Sequence, residues 1–275
     1  MEIFQYDFML RALFASAIVG FICPLMGMFI VFKRLSLIGD SLSHIALSGI
    51  CGATLLGMNP ILGSLVASSL AAILIDRLRT SLKEYADLSI AIIMALGVGI
   101  SGILISMSNV NFDLFSFMYG SIATVNKEDI VIIVLTALVI VFFIALFFKE
   151  LLFITFDEDN AKFSRIPVKF INSIFMILVA ASITITLRIV GVLLVSSLIA
   201  IPVATSIQIA KSFKNAMFYS ILLGEIAIIS GVIISFYFDL APGGTIVIIS
   251  VMELLVISLV SKIKNKHKAK INFKY

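Results

Sequence analysis

About nine apolar stretches, most close to 20 residues long, follow one another along this chain, with only short loops between them. A helix needs about 20 residues to cross a bilayer core of roughly 30 Å. The stretches lie at about 10–32, 37–57, 60–77, 88–107, 128–148, 171–188, 190–210, 216–238 and 244–262. Nothing alternates apolar and polar residues as barrel strands do, and a helix bonds its own backbone groups internally. The expected fold class is an all-α membrane protein, a polytopic bundle of eight or nine transmembrane helices. Nine becomes eight if the spans nearly touching at Arg188–Gly191 do not both cross, or if Phe112–Ile122 (FDLFSFMYGSI) marks a re-entrant piece. Residues 1–275 then form a single transmembrane domain, because no loop is long enough to fold alone.

Composition agrees. Hydrophobic residues make up 61% and charged residues 13% of the chain, against about 25% charged in soluble domains. There is no soluble basic face to carry nucleic acid, so that class of partner is excluded. The N-terminal MEIFQYDFMLRALF lacks a basic lead and a small-residue cleavage site, so no removable signal is expected. Cys23 and Cys51 stand alone in apolar surroundings and suit packing better than a disulfide framework.

Lysine and arginine set the expected orientation. One alternating set of loops holds Lys33/Arg34, Arg77/Arg79/Lys83, Lys149 through Lys169, Lys211/Lys214 and the tail at 262–275. The opposite set, Met58–Pro60, Asn109–Lys127, Arg188–Ile189 and Asp239–Gly244, is much poorer in them. The first set is expected in the cytoplasm, with the N-terminus outside and the C-terminus inside. The basic tail reads as an anchor against anionic lipid.

Few ionisable side chains fall inside the spans. Lys33–Gly52, KRLSLIGDSLSHIALSGICG, carries Asp40 and His44 four residues apart, one turn along a single helix face. Such a pair can offer one oxygen and one nitrogen to a divalent cation. It can equally form an Asp–His hydrogen bond that locks the helix to a neighbour. Glu225 and Glu253 fall midway along their spans, where a charge facing lipid is costly. Each suits a polar relay for cations or protons, or a pairing with Arg188 or a hydroxyl on another helix. Pro202 suits a packing kink or a gate, and the small residues of Gly191–Ser206 suit close helix contact.

No enzyme signature appears: HExxH, GxSxG and the GxxxxGK[ST] phosphate loop are all missing. Uphill movement of a solute would therefore need an ion gradient or an ATPase on another chain. The longest loop on the basic side, within 149–170, reads KELLFITFDEDNAKFSRIPVK. Asp157, Glu158 and Asp159 suit the start of a short helix, Ala161 and Phe163 follow, and Pro167 stops it. It is either a surface docking helix or a solvated acidic turn.

Several blocks, in order, resemble the permease subunits of metal-ion ABC transporters of the zinc/manganese/iron uptake family. GDSLSHIALSG is similar to the segment holding that family's metal-coordinating Asp and His, which fall on Asp40 and His44. FDEDNAKFSRIPV is similar to its coupling segment, falling on Asp157, Glu158, Asn160, Ala161 and Phe163, with Arg165 where Gly is usual. GVLLVSSLIAIPVATS and DLAPGGTIVI resemble two further blocks, the second with Pro242 set one place later than usual. The resemblance implies a homodimeric importer in a bacterial cytoplasmic membrane. It also implies a separate ABC ATPase subunit, an extracytoplasmic metal-binding protein, a transported divalent metal ion and no permanent cofactor. Rival expectations are a gradient-driven cation carrier, a metal-bearing scaffold or sensor, and a permease for a chelated metal or cobalamin-type ligand.

Overall fold

The computed structural model describes residues 6–81, 86–107, 114–121 and 126–272. These form eleven helices: α1 (Asp7–Phe32), α2 (Ile38–Leu55), α3 (Pro60–Ser81), α4 (Ala86–Met107), α5 (Leu114–Tyr119), α6 (Lys127–Phe156), α7 (Glu158–Phe163), α8 (Val168–Val190), α9 (Val195–Ile207), α10 (Phe213–Phe238) and α11 (Pro242–Asn272). Seven of them, α1, α3, α4, α6, α8, α10 and α11, are long and apolar enough to cross a membrane. The other two expected spans are helical but fall short of that standard. α2 has 18 residues and is diluted by Asp40, His44, three serines and three glycines. α9 has 13 residues with Pro202 inside it, long enough for about 20 Å of axis.

Proline falls where its missing N–H is tolerated or replaced. Pro60 and Pro242 open α3 and α11, where the first N–H has no partner in any helix. Pro24 lies inside α1, which is among the most buried spans. α1 and α8 form the centre of the bundle, with Phe29, Phe175, Ile22 and Met26 fully buried. α4, α6, α10 and α11 expose broad apolar faces, the pattern of helices that meet lipid.

The two ends of the bundle differ. At one end, Arg188 at the close of α8 pairs with Asp129 of α6 at 3.4 Å, and Asp129 also accepts from the Asn126 N–H in a capping box. This overturns the expected option that Arg188 pairs with Glu225. The α8–α9 turn begins at Gly191, with φ of 87°. Its Val192 and Leu193 N–H groups donate to Phe117 and Met118 carbonyls of α5. The described part of the expected re-entrant piece is therefore a short helix tied by backbone bonds to that turn.

The opposite end collects the basic loops. α1 closes there with Arg34 N–H on Val31 O and Leu35 N–H on Ile30 O, with Arg34 in the left-handed region (φ 58°). α7 closes in the same way: Arg165 N–H bonds Lys162 O, Ile166 N–H bonds Ala161 O, and Arg165 has φ 59°. Glycine usually takes this place in the motif, since a side chain there costs about 1–2 kcal/mol. A cation at a helix C-terminus recovers roughly 0.3–1 kcal/mol of that. Arg165→Gly is accordingly expected to leave the melting temperature within a few degrees of the parent. Arg165→Val, β-branched and without charge, should lose about 1 kcal/mol or more; a thermal melt of the purified protein reads both.

Candidate functional site: a helix bearing one aspartate and one histidine

α2 starts after a turn of five residues, 33–37, with Leu37 at its N-cap and no side-chain cap. Asp40 sits in its first turn and His44 one turn further. Along the axis that puts them about 3 and 9 Å from the helix start. The insertion cost that penalises a charge at mid-membrane therefore does not apply in full to Asp40. The positive end of the helix dipole also favours it by roughly 0.3–1 kcal/mol.

The neighbours of α2 fix which way this pair points. α3 meets it at Gly49 and Gly63, where a Cβ on either would come within 2.5–2.6 Å of the other's carbonyl oxygen. α4 meets it at Gly97, where a Cβ would lie 2.8 Å from Ile45 N and 3.0 Å from the His44 carbonyl carbon. Such approaches are open only to glycine, and they leave α2 little freedom to turn about its axis. Ile38, Leu42, Ile45 and Ala46 are buried by this packing, while Asp40 and His44 remain partly exposed.

Neither side chain is used up by the fold. Among the described residues no hydrogen bond or ion pair engages the Asp40 carboxylate or the His44 imidazole; Ser43 Oγ donates to the Asp40 backbone carbonyl instead, at 2.9 Å. The Asp–His hydrogen bond is likewise not formed. No third His, Cys, Asp or Glu among the described residues joins them in a group able to hold a metal. One chain thus offers two free ligands on one face.

The glutamates stand apart from this pair. Glu225 is half-buried on α10, its carboxylate lying over Gly20 of α1. Glu253 is partly buried on α11, and its Oε1 has no hydrogen-bond partner. By residue count they sit about 20 and 16 Å along their helices from the turn that joins α10 to α11. No hydrogen bond joins them. Cys23 is engaged with the Thr186 hydroxyl at 2.9 Å, and Cys51 is a free buried thiol.

The acidic loop is a helix of six residues. Asp157 caps it by accepting from Asn160 N–H at 3.0 Å. Hydrogen bonds from the Asn160 backbone and side chain hold the Asp157 carboxyl below the usual range. Ala161 is fully buried, and Glu158 turns back toward Arg79 of α3 at 3.3 Å. Phe163 is 85% exposed. Sequence alone does not separate the residues that hold α7 from those it presents outward. It also overlooks Asp76 and Asn172 and reads Arg79 only as a basic loop residue, although Arg79 and Asn172 find their partners on other elements.

The family model of the ABC 3 transport family matches residues 5–261. The chain belongs to this family. Over 259 residues it is 33% identical to a protein of Treponema pallidum (strain Nichols) named "Probable metal transport system membrane protein", covering 94% of this chain and 97% of that one. It is 30% identical over 252 residues to the "Manganese import system permease protein ScaB" of Streptococcus gordonii, covering 92% and 91%. Among solved structures it is similar to PsaBC from Streptococcus pneumoniae in complex with Fab, with a TM-score of 0.83 and 30% identity, covering 93% of this chain and 92% of that one. This member of the ABC 3 family is a multi-pass membrane permease subunit with the fold of ABC permeases.

Proposed function

We propose that this chain moves a divalent transition metal ion, Zn²⁺, Mn²⁺ or Fe²⁺, across a bacterial cytoplasmic membrane as the permease subunit of an importer. The observation that carries this reading is the free Asp40–His44 pair, two metal ligands aimed from one rigidly held face. The family membership and the metal-transport names of its relatives support it. An oxygen and a nitrogen from one chain leave the ion under-coordinated. A homodimer that brings two α2 helices together would supply four ligands, enough for a four-coordinate ion. Two ligands per chain also suit a site that must release its cargo.

Under this reading the basic end faces the cytoplasm, as does the C-terminus. α7 docks the separate ABC ATPase through Phe163 and its neighbours, with Asp157, Asn160, Ala161 and Glu158 holding it in place. An extracytoplasmic metal-binding protein delivers the ion at the other end, and lipid surrounds the exposed apolar faces.

The test is uptake metal by metal, in liposomes holding the permease, its ATPase and its binding protein. ATP-dependent import of one of the three metals supports the proposal; import of none defeats it. A second reading is favoured by the unpartnered Glu253 oxygen: a proton-driven carrier using Glu225 and Glu253. It requires metal flux under a proton gradient with no ATPase present, and the same liposomes test it.

A further inference from the structure

α7 is fastened to the bundle by more than its chain connection. Between it and α6, Asp157 leaves the helical region (φ −153°, ψ 88°), so a load on α7 is not carried along one continuous helix. The second path is ionic. Arg79 Nη2, in the last turn of α3, donates to Glu158 Oε2 at 3.3 Å. Lys162 reaches the other oxygen of the same carboxylate at 3.2 Å.

A third cation lies behind this pair. Lys33 sits at the end of α1 and donates to Asn172 Oδ1 of α8 at 2.7 Å. Its ammonium lies 4.8 Å from the centre of the Phe175 ring, within cation–π range. Burial, then the Arg79 charge, pushes Lys33 down to about 8, while Glu158 and Asp76 act the other way. Asp76 lies one turn before Arg79 on α3, and both Arg79 and Lys33 act on its charge. Lys33 beyond the end of α1, Arg79 and Asp76 of α3 and Glu158 of α7 thus share one poorly solvated field against α8. Arg79 is only 17% exposed.

Such a cluster is weak evidence for stability, because desolvation cancels much of the attraction. What it does supply is position. Lys33 precedes Asp40 by seven residues, across a turn held by the backbone bonds that close α1. We propose that the Arg79–Glu158 pair forms a strut that carries displacement of α7 into α3 and, through the close Gly49–Gly63 crossing, to the helix bearing Asp40 and His44. ATP hydrolysis on the docked chain is thereby coupled to movement of the ion. The strut rests on the reading of α7 as the ATPase-docking segment, and its members are positioning residues that never touch the ion.

The experiment measures ATP hydrolysed per Mn²⁺ imported by the reconstituted complex, together with ATPase co-purification. Arg79→Met is expected to keep the ATPase bound and hydrolysing while import falls, raising the ratio about tenfold. Arg79→Lys, which keeps the charge, should bring the ratio back toward the parent value. A parental ratio in Arg79→Met overturns the strut and leaves docking by α7 intact. Loss of the ATPase from Arg79→Met that Arg79→Lys does not repair also overturns it, because Arg79 would then serve docking or folding. Failure of the docking reading shows separately, as an ATPase that stays bound when α7 itself is replaced.

Discussion

Alanine at Asp40 or at His44 is expected to abolish metal import while the permease still assembles with its ATPase. The two halves of that statement have separate causes. In the proposed reading each side chain supplies one ligand, and even partners that only support a ligand cost 10–100-fold in affinity when removed. Loss of a ligand itself should cost at least about tenfold. Stability should scarcely change, because both side chains are partly exposed and neither has a hydrogen-bond partner among the described residues. The largest structural term at stake is the Asp40 charge at the α2 N-terminus, roughly 0.3–1 kcal/mol. Asp40→Asn and His44→Gln, which keep size but weaken ligation, should fail in the same way. Import of radioactive Mn²⁺ or Zn²⁺ by the reconstituted complex, beside a melting curve for each variant, checks both halves. Import that survives both alanine changes would remove the pair from the pathway. A joint loss of import and of melting temperature would return it to a packing role.

The sequence makes the helices legible because lipid leaves one answer: long apolar runs that bond their own backbone. The Asp40–His44 face is legible for a similar reason, since an i, i+4 spacing fixes relative direction without any tertiary information. What stays hidden is whatever depends on how helices dock. Arg79 meets Glu158 across 79 positions and Lys33 meets Asn172 across 139. No periodicity within one segment encodes those registers. The expectation that Arg188 answers Glu225 fails on the same ground: they are two in-membrane charges of opposite sign, but α8 delivers Arg188 to the end of α6, beside Asp129. The contacts at Gly49, Gly63 and Gly97 are visible as residues, yet only the crossing shows that each is needed for close approach. α2 shows the reverse. Its serines and glycines lower its hydropathy below that of a typical span, yet Gly49 is what lets α3 approach it so closely.

Replacing Asp157–Phe163 with a neutral linker is expected to abolish co-purification of the ATPase while the bundle remains folded. Six residues are far too few for a helix that persists alone. α7 therefore exists because Asp157 caps it and Ala161 packs into the core. With Ala161 and Glu158 turned toward the bundle, the helix presents Phe163 outward at 85% exposure. An isolated aromatic at the centre of a docking surface carries a large share of binding energy, about 2 kcal/mol or more where it is an anchor. Phe163→Ala alone should thus weaken ATPase binding by roughly thirtyfold, without disturbing α7, because Phe163 packs against little of its own chain. The cap also sets a pH dependence. The Asp157 carboxyl is held low in the folded chain, so its contribution is complete above the ordinary carboxylate range, near 4. It is lost only as pH falls through its depressed value, so docking should be flat from about pH 6 to 8 as far as this cap is concerned. Pull-down of the ATPase by the purified permease decides the matter. Undiminished capture by both the linker variant and Phe163→Ala would place the ATPase contact elsewhere on the basic end.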